Sequence, residues 1–250
     1  MNGRGALRFA RYAFPPNHLG YCGPADSAAL LEHILTGTSD AELRRLATGF
    51  AGAWPYLELI AAAAGRDDPL DPDVVEAYWL GNALLDAVPV SMMGNSLDDR
   101  FRRRAGAGWS SLEEAIPAGA VPHHSFHVFG VYPWVGLLRS GESEEPLRIL
   151  DRCRIRTGTV QAVEGSSAAV RSRPLAWDGY RLDLGAPMTE LVNVADDGMA
   201  LQGGAVVTMH WDWICEVVSP AAAMRLEVVT RSQMELVNGL SLPGPAALLA

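Results

Sequence analysis

Between Ala25 and about Arg104 the apolar residues recur at three- and four-residue spacing, the repeat of a helix with one buried face. Ala28, Leu31, Ile34 and Leu35 form the first such stripe, and Asp26 is placed to cap it. A second stripe, Trp54–Ala64, opens close to Pro55. A third, Asp71–Ala87, carries Pro72 in its first turn and Val75, Tyr78, Trp79, Ala83 and Leu84 along one side. These segments predict bundled helices. Trp109–Glu114 predicts a short helix with a serine cap, ended by Pro117 and Gly119. The composition then changes: Ser125–Leu138 is rich in Val, Phe, Tyr and Trp and reads as strand, broken at Pro133 and Gly136.

The polar run Gly141–Pro146 reads as a solvated loop and places a domain boundary. Short strand-like runs follow at Leu147–Leu150, Gly158–Val163, Ala168–Arg173, Tyr180–Leu184, Thr189–Val194 and Ala205–His210. They are separated by Gly-containing turns, the spacing of a small barrel. Ser219-Pro220 then caps an amphipathic helix, Ala221–Val237. The expected fold class is α+β. It comprises a mainly helical domain over 1–143 with a short strand segment near its end, a small β-barrel with a C-terminal helix over 144–238, and a tail over 239–250.

Composition narrows the function classes. With 49% hydrophobic and 20% charged residues the chain can bury a core, and its net charge of −9 repels phosphate backbones and anionic lipid. Nucleic acid and membrane are therefore not expected partners. The one basic run, Arg100-Phe101-Arg102-Arg103-Arg104, reads as a solvated helix end or loop. No apolar stretch is long enough to span a bilayer, the N-terminus has no signal core, and three cysteines leave one unpaired in any disulfide scheme. A cytoplasmic, reducing setting is expected.

Two short motifs in the last third carry chemistry. The first is Arg152-Cys153-Arg154-Ile155-Arg156-Thr157-Gly158-Thr159-Val160. The second is Gly203-Gly204-Ala205-Val206-Val207-Thr208-Met209-His210, followed by Glu216 and the helix after Ser219. Their order and spacing over residues 152–237 resemble the small hydrogenase-maturation chaperones of the HypC/HupF type. That family begins Met-Cys and continues through Pro-Gly-basic-Val, with a histidine ending a later valine-rich strand. The resemblance implies a HypC-like or OB-like barrel and an accessory factor for nickel-iron hydrogenase maturation. It further implies Cys153 and His210 as metal ligands for an iron fragment bearing cyanide and carbon monoxide, and a hydrogenase large subunit or other maturation proteins as partners. This is a carrier rather than an enzyme. Here the cysteine is internal and Thr157 stands where the family has proline; Arg154 and Arg156, as cations beside the thiol, would favour thiolate.

Other groups leave alternatives open. Cys22, between Tyr21 and a Gly-Pro turn at a helix mouth, would serve a cysteine-dependent small-molecule enzyme with His18 or His127 as base, or is a small buried residue. If Pro122–His127 is a strand, His123 and His127 share a face and form a conceivable metal pair, while His124 points away. Continuous alternation after His210 would set Asp212 beside it as an orienting carboxylate and turn Cys215 away. Tyr78/Trp79 and Tyr132/Trp134 read as core or interface anchors. Cys153 and His210 would equally suit a barrel that has lost its metal chemistry and serves as an adaptor.

Overall fold

The computed structural model describes residues 3–105, 109–141, 144–195 and 197–240. The fold is α+β. The helical part comprises α1 (Arg4–His18), α2 (Ser27–Thr36), α3 (Ala41–Thr48), α4 (Trp54–Ala63), α5 (Pro72–Trp79), α6 (Val90–Ala105), α7 (Trp109–Ala115) and α8 (His124–Phe126). A π-helical turn (His127–Val131), α9 (Trp134–Arg139) and α10 (Glu144–Cys153) complete it. Seven strands follow: β1 (Arg156–Glu164), β2 (Ser167–Ser172), β3 (Leu175–Trp177), β4 (Leu182–Leu184), β5 (Met188–Asn193), β6 (Val206–His210) and β7 (Trp213–Val217). The long helix α11 (Pro220–Gly239) ends the described chain. Among the described residues no helix is long and apolar enough to cross a membrane.

Five strands make one mixed sheet in the order β1-β2-β5-β7-β6, and because β6 also pairs with β1 the hydrogen bonding returns on itself. The β5–β7 link is the single parallel one, Asn193 opposite Trp213. Gly158 lets the ring close tightly, since a Cβ there would lie 2.4 Å from Val170 Cγ1 and 3.0 Å from the Arg171 carbonyl oxygen. Asp26, Asp71 and Ser219 cap their helices as their sequence positions suggest.

Two segments expected as strand are helical. Ser125–Leu138 forms the end of α8, the π-helical turn and α9, and Leu147–Leu150 lies inside α10. Their β-branched and aromatic content reflects burial, since Phe126, Val128, Phe129, Val131 and Val135 are all enclosed. Helix α10 begins at Glu144, so only Gly141 and its immediate surroundings remain of the expected polar loop; Glu142 and Ser143 lie outside the described residues, as does the tail beyond Leu240. The helix α1 carries Ala6, Phe9, Ala10 and Ala13 inward at helical spacing, and the chain stays helical through Pro15 and Pro16.

The main buried cluster runs from Ala6 through the helical bundle to Ile155, Cys215, Val218 and Leu226. Helix α1 seats directly on β6 and β7: the Tyr12 hydroxyl lies 2.7 Å from Thr208 Oγ1 and donates to Glu216 at 3.0 Å, while Arg8 reaches both Glu216 (2.9 Å) and Glu76 (2.8 Å). A second polar joint ties α10 to the sheet. Arg156, 1% exposed, donates to Glu190 at 3.2 Å and to the Trp211 carbonyl at 2.6 Å; Glu190 also receives Arg152 and the Ser172 hydroxyl. Burial pulls the Arg156 guanidinium down to about 10 against the opposing pull of Glu190.

Removing one member of such a joint leaves the other charge enclosed without compensation. Glu190→Ala should therefore cost about 3 kcal/mol in urea denaturation, whereas Glu145→Ala, which breaks an exposed pair with Arg148, should leave the midpoint unmoved. Equal small effects for both would show that the Arg156 joint is not structural.

Candidate metal centre between the helical bundle and the sheet

Residue 16 is a proline, so it has no N–H to bond the carbonyl of Tyr12 four residues earlier in α1. That carbonyl is used elsewhere: it lies 2.5 Å from Nδ1 of His210, at the buried end of β6. A carbonyl only accepts, so Nδ1 carries the proton and Nε2 keeps a free lone pair. His210 Nε2 is buried without a hydrogen-bond partner.

The same logic fixes a second histidine. Cys153 is the last residue of α10, where helix carbonyls lack intrahelical donors, and its carbonyl oxygen lies 2.8 Å from His124 Nε2. His124 therefore donates through Nε2, and its Nδ1 accepts the Tyr78 hydroxyl at 3.2 Å. The two imidazole rings meet edge to face with centroids 5.1 Å apart. One ligand-capable atom each from His124, Cys153 and His210 all fall within 4.8 Å of one another. Zinc or a similar ion at ordinary bond lengths sets its ligands about 3.5 Å apart, so about 1 Å of closure completes a three-ligand site. One sulfur and two imidazoles suit iron, zinc or copper rather than magnesium or calcium. On His210 one nitrogen is held by a backbone carbonyl and the other is unpartnered, the arrangement that orients histidine on a metal; on His124 the lone pair left at Nδ1 accepts the Tyr78 hydroxyl, which a metal would have to displace.

These residues line a cavity of about 150 Å³ together with Pro16, Tyr21, Cys22, Trp79, His127 and Trp211. Tyr21, Cys22, Gly52, Tyr132 and Trp134 are the partly exposed members and mark its opening. Trp211 holds φ at +51°, a conformation costly for a bulky residue, in the two-residue turn between paired His210 and Trp213. Its N–H bonds the Arg152 carbonyl at 2.7 Å and its ring stacks on Tyr21 at 4.3 Å. His127 enters from the π-helical turn, where a Cβ on Gly52 would come within 3.0 Å of its Nε2.

The structure thus brings together Cys153 and His210, adds His124, and sets Cys22 and His127 in the same cavity. It does not add His18, which is exposed and stacks on Phe14. The His123/His127 pair is not formed: His123 is the extended N-cap residue of α8, where its Nδ1 accepts the Ser125 N–H, and only His127 lines the cavity. Asp212 is not beside His210, because the turn at Trp211 breaks the expected alternation; it is exposed and pairs with Arg152 at 2.9 Å. The guanidinium of Arg154 faces Asp151 and the Arg173 carbonyl, and that of Arg156 faces Glu190, so neither relieves the thiol of Cys153, whose pKa burial raises. Of the basic run at the end of α6, Arg102 and Arg103 are exposed as expected, whereas Arg100 is half-buried, lying 4.3 Å over the Tyr56 ring and donating to Gly52 at 3.3 Å.

Enclosure makes every donor in the site neutral near pH 7. Burial lowers His123 to about 3 and His124 to about 4, lowers His127 and His210 well below the ordinary imidazole value, and raises Cys22 to about 12. Each folded histidine pKa lies below that of solvated imidazole, so the stability this contributes is complete above pH about 6.5 and is lost as the pH falls from there toward 4. The metal-free protein should accordingly unfold at lower urea at pH 5 than at pH 7, with about four more protons bound by the unfolded chain. A midpoint independent of pH over this range would contradict the burial of these rings. The Cys22 thiol should react with iodoacetamide at pH 8 at least about 100-fold more slowly than a solvated thiol; labelling at the free-thiol rate would restore it as a nucleophile.

Comparison with known proteins returns no curated protein and no solved structure that matches the chain. One family model does match, over residues 1–242 and thus across both the helical part and the sheet. The chain belongs to that family, described as a family of unknown function (DUF6390).

Proposed function

We propose that the protein is an accessory factor for nickel-iron hydrogenase maturation, in which a HypC-like barrel and the helical bundle together hold an iron fragment for delivery. The observation that carries this reading is the meeting of Cys153 with His210. The resemblance singled out these two residues, 57 positions apart, on sequence motifs alone, and their donor atoms share one buried cluster with His124. The iron fragment, with its cyanide and carbonyl ligands, is cargo on this reading. Cys153 supplies the soft donor that low-spin iron favours and the two imidazoles fix its position. Partners would be a hydrogenase large subunit or other maturation proteins.

A cysteine-dependent enzyme using Cys22 is the less favoured reading. Burial holds that thiol protonated and lowers His127, the candidate base that shares its cavity, well below the ordinary imidazole value, while His18 lies outside the cavity. An adaptor without metal would leave unexplained the buried, unpartnered Nε2 of His210 beside Cys153.

Two measurements test the proposal. Anaerobic titration with Co(II) should give thiolate-to-metal charge transfer at one equivalent, abolished in Cys153→Ser and weakened at least about tenfold in His210→Ala and His124→Ala. Because binding displaces the Cys153 proton, apparent affinity should rise about tenfold per pH unit between pH 6 and 8. Co-expression with hydrogenase maturation proteins should yield cyanide and carbonyl infrared bands that Cys153→Ala loses and Cys22→Ala retains. Cobalt binding without those bands would leave a metal protein of another purpose; neither signal would leave the adaptor.

A further inference from the structure

The cavity is larger than a metal ion requires. At about 150 Å³ it matches spaces that take up a benzene-sized guest in other proteins. Two of the residues that line it carry buried polar atoms that the three-ligand cluster does not use. Trp79 and Trp211, each 2% exposed, line it, and the indole N–H of each is buried with no hydrogen-bond partner. Indole nitrogen is a donor only, so neither group can be satisfied by another donor. Leaving even one such group unpaired when buried is costly, and here two belong to residues that line one cavity.

The neighbours explain why neither finds a partner within the fold. The Trp79 ring is fixed by Tyr12, which stacks on it at 5.3 Å, and by His124 at 4.7 Å. Trp211 is held at positive φ by the β6–β7 turn and clamped under Tyr21. The remaining neighbours are largely aromatic or apolar, among them Ala13, Phe50, Trp134 and Ile149. His127 adds a neutral imidazole with an unpartnered Nδ1.

We propose that Trp79 and Trp211 form a subsite for a small ligand carried on the bound metal, one whose outer end accepts hydrogen bonds, as a linear pseudohalide does. The inference rests on the metal reading above but assigns two residues that neither the sequence motifs nor the three-ligand cluster include. The metal holds the inner atom of the ligand, and the indoles grip its outer atom. Ligands whose outer end is itself a donor are disfavoured, because they meet N–H groups head on.

Azide and imidazole are the probes, since the far nitrogen of azide accepts whereas the far nitrogen of bound imidazole donates. In the Co(II)-loaded protein azide should perturb the cobalt spectrum and bind about tenfold more weakly in Trp79→Phe and in Trp211→Phe, the loss of one hydrogen bond each. Imidazole affinity should stay level or improve. Folding-independent support comes from the wild-type Zn(II) protein, where azide should move two of the seven indole N–H resonances downfield. Failure to bind cobalt would sink the metal reading and this one with it. Cobalt binding with azide and imidazole weakened alike, with no azide bound, or with indole resonances unmoved would overturn the subsite alone.

Discussion

A missing hydrogen in the last turn of α1 governs the site. Because Pro16 offers no N–H, the Tyr12 carbonyl is free inside a protein where free carbonyls are scarce, and His210 is the group that takes it. That bond sets the tautomer of His210, anchors the end of β6 against α1, and directs the remaining lone pair to the thiol side. A non-proline residue at position 16 would add a competing N–H for that carbonyl.

The second anchor is also a helix end. Cys153 contributes its carbonyl to His124 and its sulfur to the cluster, so one residue at the C-terminus of α10 both orients a ligand and is one. The three donors consequently come from three separate stretches: the segment before the π-helical turn, the end of α10 and the end of β6. Neither the helical part nor the sheet contains the site by itself, in keeping with the buried cluster that passes from Phe9 and Trp79 to Ile155 and Cys215.

Much of this was legible in the sequence where physics is local. The caps at Asp26 and Ser219 and five of the strands between Gly158 and His210 follow from short-range spacing, whereas β3 and β7 are not marked by it and the pairing of Cys153 with His210 is implied by the family resemblance. His124 was not legible, because Ser125–Leu138 has strand-like composition and becomes helix through burial on every side. A strand at that place sends His124 away from its neighbours; a helix followed by a π-helical turn delivers both His124 and His127 to one cavity. Asp212 was misplaced for a related reason, since alternation holds only within a strand and Trp211 makes the turn at a φ that composition gives no reason to expect. The one local signal that could have pointed to His210's partner was Pro15-Pro16 inside an otherwise apolar helical stripe.

Charge binds these observations into one constraint. The cavity holds neutral imidazoles and protonated thiols because burial penalises every ionised form, and the nearest arginines spend their charge on Glu190 and Asp151. Under the proposed reading a divalent ion exchanges for the proton of Cys153 and leaves net positive charge in a buried site. An anionic ligand on the metal offsets that charge, and the two indole donors hold its outer end without adding charge of their own.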